Sequence, residues 1–178
     1  MKALMKIAMD AGATGVGMAK VADIVFDPAF RDACAQNICG KYGTCWMCPP
    51  DVGDIDRLIA QAKSYEYMMV FQSIGYLEDS FDFEGMGEAA VQHNRLTLAV
   101  AAAIPDVVKD PLILGAGACH ICTRCTRADN KPCAHPKKAI PSLEAYGIAV
   151  SELAEKSGLK YINGENTVTY FGGVLFRR

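Results

Sequence analysis

Hydrophobic residues recur along this chain in two rhythms, and the alternation between them outlines the fold. Leu4, Ile7, Ala8 and Ala11 lie at helical spacing and predict a short amphipathic helix ending at Gly12. Thr14 to Ala19 reads as a strand. Asp27-Pro28 opens a short helix that runs into Cys34, and Ile55, Leu58, Ile59 and Ala62 form the buried stripe of another, capped by Asp51 or Asp54 and ending near Ser64. Tyr67-Met-Met-Val-Phe71 is an unbroken apolar run too short for a full helix, which predicts a strand covered on both faces. After a polar loop from Leu77 to Gly85, the spacing of Ala89, His93, Leu96, Val100 and Ala103 predicts a long helix that stops before Pro105. Pro111 to Gly115 reads as another buried strand. Pro141 to Gly158 reads as a helix carrying Leu143, Tyr146, Val150 and Leu153, and Thr167 to Phe176 as a β-branched and aromatic strand.

Strands alternating with helices predict an α/β fold with a mostly parallel or mixed sheet flanked by helices, in a single metal-binding domain over residues 1–178. Two stretches break the rhythm, one from Cys39 to Gly53 and one that begins at Gly115. Both are rich in cysteine and glycine and lie outside the regular elements, so they are expected to gather as two loops at one end of the sheet. Gly12-Ala-Thr-Gly15-Val-Gly17 follows a helix and lacks the strand-to-helix context of a nucleotide loop, which leaves turn and strand glycines as its explanation.

Composition narrows the function. With 51% hydrophobic and 21% charged residues, 178 residues can bury a core without crosslinks. A formal net charge of −2 and a pI near 5.9 argue against a nucleic-acid binder. Asp10 interrupts the start of the chain before a signal-peptide core or spanning helix is complete, so no membrane partner and a cytoplasmic location are expected. In that reducing compartment eight cysteines point to metal before disulfides.

Those cysteines form two groups. Cys119, Cys122, Cys125 and Cys133 read C-x2-C-x2-C-x7-C, and successive thiolates at that pitch can wrap a loop around an iron–sulfur cube. Cys34, Cys39, Cys45 and Cys48 read C-x4-C-x5-C-x2-C, enough thiolates for a second cluster but in a less specific pattern. Zinc is the alternative, since Cys45-x2-Cys48 and Cys122-x2-Cys125 could together supply one tetrahedral S4 site, at the cost of leaving four cysteines unexplained. Gly115 and Gly117 would let backbone amides approach a cluster, or merely relieve crowding at a strand end. Trp46 either shields the front loop from water or is simply packed. His120 and His135 flank cluster cysteines and read as exposed loop residues, and His93 as a core residue. Around the second group Arg124, Arg127, Lys131, Lys137 and Lys138 stand against Asp129 alone, a positive rim suited to an anionic partner or a plain solvated surface.

Tyr42-Gly43 through Trp46-Met-Cys48-Pro-Pro50, Gly115-Ala-Gly-Ala-Cys119 through Lys131-Pro-Cys133-Ala-His-Pro136, Pro141-Ser-Leu-Glu-Ala-Tyr-Gly147-Ile and Thr169-Tyr-Phe-Gly172 together resemble the DUF2284 family of predicted metal-binding proteins, found largely in anaerobic bacteria and archaea. The resemblance spans nearly the whole chain and implies metal binding without implying a reaction. It also implies that Cys34, Cys39 and Cys48 match the family pattern more closely than Cys45.

The expected function is that of an iron–sulfur protein with two 4Fe-4S clusters that relays single electrons to a redox protein partner, one with an acidic docking surface. Two other classes stay open: an iron–sulfur enzyme or enzyme subunit with an open iron, assisted by an acid or base such as Glu84 or His93, and a zinc-stabilised interaction module.

Overall fold

The computed structural model describes all residues from Met1 to Arg178. Five helices, α1 (Lys2–Asp10), α2 (Phe30–Ala35), α3 (Ile55–Lys63), α4 (Phe83–Ala103) and α5 (Val150–Lys156), surround one sheet of β1 (Gly15–Lys20), β2 (Tyr67–Tyr76), β3 (Leu112–Leu114) and β4 (Thr167–Phe176). No helix is long and apolar enough to cross a membrane.

The sheet corrects the expectation of a mostly parallel or mixed arrangement. Its strand order is β1-β2-β4-β3 and every ladder is antiparallel. The helical crossover that the sequence pattern announces is present, because β2 and β3 run in the same direction and α4 connects them. β4 lies between the two, however, and pairs antiparallel with both, from Tyr67↔Phe176 to Tyr76↔Thr167 on one side and from Leu112↔Leu175 to Leu114↔Gly173 on the other. Alternation of elements reveals a crossover but not a strand inserted into it from far along the chain.

Period-two alternation explains why β2 is apolar from Tyr67 to Phe71. Met68 and Val70 enter one core with Leu58, Ala62, Leu143, Tyr146 and Leu153, while Met69 and Phe71 enter another with Leu4, Ala8, Leu96, Val100 and Ile104. The sheet is therefore sandwiched, with α1 and α4 on one face and α3, α5 and the 144–146 turn on the other. β4 crosses β2 closely at Gly172, where a Cβ would enter the Phe71 ring. Asp54, not Asp51, caps α3, its side chain accepting from the Arg57 amide at 3.1 Å.

Pro141 to Gly158 does not form one helix. Gly115 and Ser142 pair as a parallel bridge beside β3, a short 3-10 turn spans Glu144–Tyr146, and Gly147 takes φ +69°, so α5 starts only at Val150. Leu143, Tyr146 and Leu153 are all buried, but on two elements rather than one stripe.

Candidate metal centre

The front loop leaves α2, whose last turn carries Cys34, and returns to the sheet through α3. The rear loop begins where β3 ends: the Gly115 amide donates to Pro141 O at 2.9 Å and the Leu143 amide to Gly115 O at 3.0 Å, so the chain leaves the sheet edge in a fixed direction toward Cys119. Gly117, at φ +66°, makes the turn that follows, a conformation that costs a residue with a Cβ.

Three contacts clamp the loops together. Trp46 Nε1 donates to Lys131 O at 2.9 Å, the Arg127 guanidinium lies over the Trp46 ring at 5.4 Å from its centroid, and Arg127 Nε pairs with Asp51 Oδ1 at 2.8 Å. Trp46 thus bonds one loop to the other.

The clamp sorts the cysteines differently from their order in sequence. Cys45, Cys119, Cys122, Cys125 and Cys133 line one narrow cleft, whereas Cys34, Cys39 and Cys48 line a separate cavity of about 390 Å³. Met47 borders both. Cys45 is 2% exposed and stands at the junction, its thiol meeting those of Cys48 and Cys125 and accepting from the amides of Met47 and Cys119. The hydrogen bond from Cys48, with help from the two amides, lowers the Cys45 thiol against the opposing effect of burial. Cys48 is correspondingly pushed up, first by that same hydrogen bond and then by burial. Burial raises Cys119, opposed by the amides of Ile121 and Ile140 that donate to it, and burial also raises Cys34, with Glu144 adding to the effect. Amides of Met47, Cys119, Ile121 and Ile140 thus act on these sulfurs, whereas the Gly115 amide is taken up by Pro141 O.

All eight cysteines are free thiols. No three His, Cys, Asp or Glu side chains stand together as the ligands of a single metal ion would. The fit of a metal centre rests instead on donor chemistry, and five soft thiols around one cleft beside three around another suit iron–sulfur clusters or zinc rather than hard cations.

The remaining candidates divide. His135 borders the five-cysteine cleft, and His120, whose pKa is lowered by burial and by nearby Lys41, borders the pocket in front of Cys119. His93 is sealed in the core at 1% exposure, with Ser73 Oγ 2.8 Å from its Nδ1 and its ring against Phe71 and Tyr170; neither it nor exposed Glu84 lines a cysteine cavity. Of the five basic residues, Arg124 pairs with Asp129 and Arg127 with Asp51, leaving Lys131, Lys137 and Lys138 without an ion-pair partner. Glu144, absent from the sequence-based candidates, lines the three-cysteine cavity. Its signal was present in the Pro141–Gly147 motif, masked by the helical spacing around it.

The family model described as predicted metal-binding protein, DUF2284, matches residues 18–176. No curated protein and no solved structure matches the chain.

Proposed function

Because the chain belongs to the DUF2284 family of predicted metal-binding proteins, we propose that it is an iron–sulfur protein that holds two 4Fe-4S clusters and passes single electrons to a redox partner. One observation carries this reading: five cysteines converge on one cleft while three line an adjacent cavity, with Met47 bordering both. Eight thiols are more than one zinc site uses, and closed zinc sites take four ligands.

Cys119, Cys122 and Cys125 with Cys133 or Cys45 would hold the rear cluster, and Cys34, Cys39 and Cys48 belong to the front one. Such clusters supply one-electron transfer at a potential set by charge, exposure and hydrogen bonds to sulfur. The chain's own residues govern those terms. Amides of Met47, Cys119, Ile121 and Ile140 donate to the thiols and favour the charged form, and Trp46 and Met47 exclude water beside Cys45. Lys131, Lys137 and Lys138 leave a positive rim on the rear loop, which suits a partner protein with an acidic docking face. A cytoplasmic setting, where thiols stay reduced, fits this use of cysteine.

Purification without oxygen tests the proposal. A brown protein with visible absorption, iron matched by acid-labile sulfide and a paramagnetic signal on reduction is the expected result, and a colourless, iron-free preparation would overturn it in favour of zinc or no metal. Cys122→Ser or Cys125→Ser should remove about half of the iron if two clusters are bound.

A further inference from the structure

We propose that Glu144 is the fourth, non-cysteine donor of the front site, and that Cys45 serves the rear site although three front cysteines surround it in sequence. The proposal rests on the two-centre reading above and assigns ligands within it.

The front cavity is lined by three thiols, those of Cys34, Cys39 and Cys48, one short of a complete set for a cubic cluster. Cys45 does not make up the number. It lines the rear cleft with Cys119, Cys122, Cys125 and Cys133 and not the front cavity, and although it also meets Cys48 it reaches across to Cys125 and the Cys119 amide.

Glu144 lines the front cavity with the three thiols, close enough to Cys34 for its charge to be felt there. It is half-buried and enters none of the chain's three ion pairs. Its carboxylate is thus open to a positive centre placed in the cavity. Iron accepts carboxylate oxygen as well as thiolate sulfur, and a three-thiolate, one-carboxylate set has the four donors required.

The backbone holds Glu144 in place from both sides. Ser142 Oγ accepts from the Ala145 amide at 3.1 Å, and Arg31 Nη2 donates to Ala145 O at 3.2 Å and to Gly53 O at 2.9 Å. Arg31 lies on α2, one turn before Cys34, so a single guanidinium sets the distance between the helix that carries the first thiol and the turn that carries the carboxylate. The ligand class is thus an iron–sulfur centre with one hard oxygen donor, a corner held less firmly by a soft cluster than the thiolate corners.

The test uses the full chain purified without oxygen, with iron content and electron paramagnetic resonance of the reduced protein as readouts and far-ultraviolet circular dichroism as the check on folding. Cys39→Ser should abolish one of two signals. Glu144→Gln should alter that same signal and leave the other unchanged, Glu144→Cys should restore a complete centre with all-thiolate parameters, and Cys45→Ser should perturb only the second signal. A folded Glu144→Gln protein whose spectrum superimposes on that of the wild type, while Cys39→Ser loses its signal, would overturn the Glu144 assignment and spare the two-centre reading. If Cys39→Ser changes neither iron nor spectrum, the front site holds no metal and both fail.

Discussion

His93 should make the stability of this protein fall as the solution is acidified, by an amount its surroundings allow to be worked out. Burial between Phe71 and Tyr170 lowers its pKa from the ordinary 6.5 to about 4. The unfolded chain therefore takes up the imidazole proton near pH 6.5, while the folded chain resists until about pH 4, so stability is fully present above 6.5 and is lost as pH falls through that window. A gap of that size corresponds to about 3 kcal/mol once both states are protonated. Roughly 2 kcal/mol of it should disappear between pH 7 and pH 5. Denaturant unfolding followed by circular dichroism, run in parallel on wild type and His93→Gln, isolates this share from whatever acid does elsewhere, the cysteine sites included. Gln can still bond Ser73 but carries no titrating group. The wild type should lose stability more steeply than the variant by that margin. Parallel pH profiles for the two proteins would refute the claim that a neutral, buried imidazole is responsible.

The packing sets the behaviour of four further variants. Gly172→Ala drives a methyl group into the Phe71 ring and should lower stability by about 2 kcal/mol, whereas Gly87→Ala, on the exposed side of α4 with nothing near the new methyl, should raise it by up to about 1 kcal/mol in the same unfolding assay. Arg127→Gln leaves the largely buried Asp51 carboxylate without its cation and should cost about 2 kcal/mol. Trp46→Phe removes the bond to Lys131 O and should speed amide hydrogen exchange in residues 119–133, with little change in the sheet.

The sequence made the helices and strands largely legible because each carries a local period. α3, β2 and α4 follow from Leu58 and Ile59, from the run at Met68–Phe71, and from His93, Leu96 and Val100, residues that are buried as their spacing requires. What the period cannot convey is which strand neighbours which, and β4 therefore upset the expected sheet. Tyr146 and Leu153 illustrate a second limit: both are buried at helical spacing, yet Gly147 in its left-handed conformation separates them. At the candidate site, spacing identified the cysteines as groups but not as partners in space. Cys45 sits between Gly43 and Cys48 along the chain, and contacts formed across some eighty residues, the Trp46–Lys131 bond, the Arg127–Trp46 stacking and the Arg127–Asp51 pair, join its loop to the one that carries Cys119 and Cys125. Glu144 escaped notice for the same reason, since a single carboxylate acquires meaning only from the thiols beside it.

Pairing of β2 with β4 unites Tyr67 with Phe176 and Tyr76 with Thr167, so the centre of the sheet cannot form until most of the chain has been gathered into one loop. Closing so long a loop is entropically slow, and the whole rear cysteine segment lies inside it. Cys119 to Cys133 thus sit on the stretch of chain that this one closure must order.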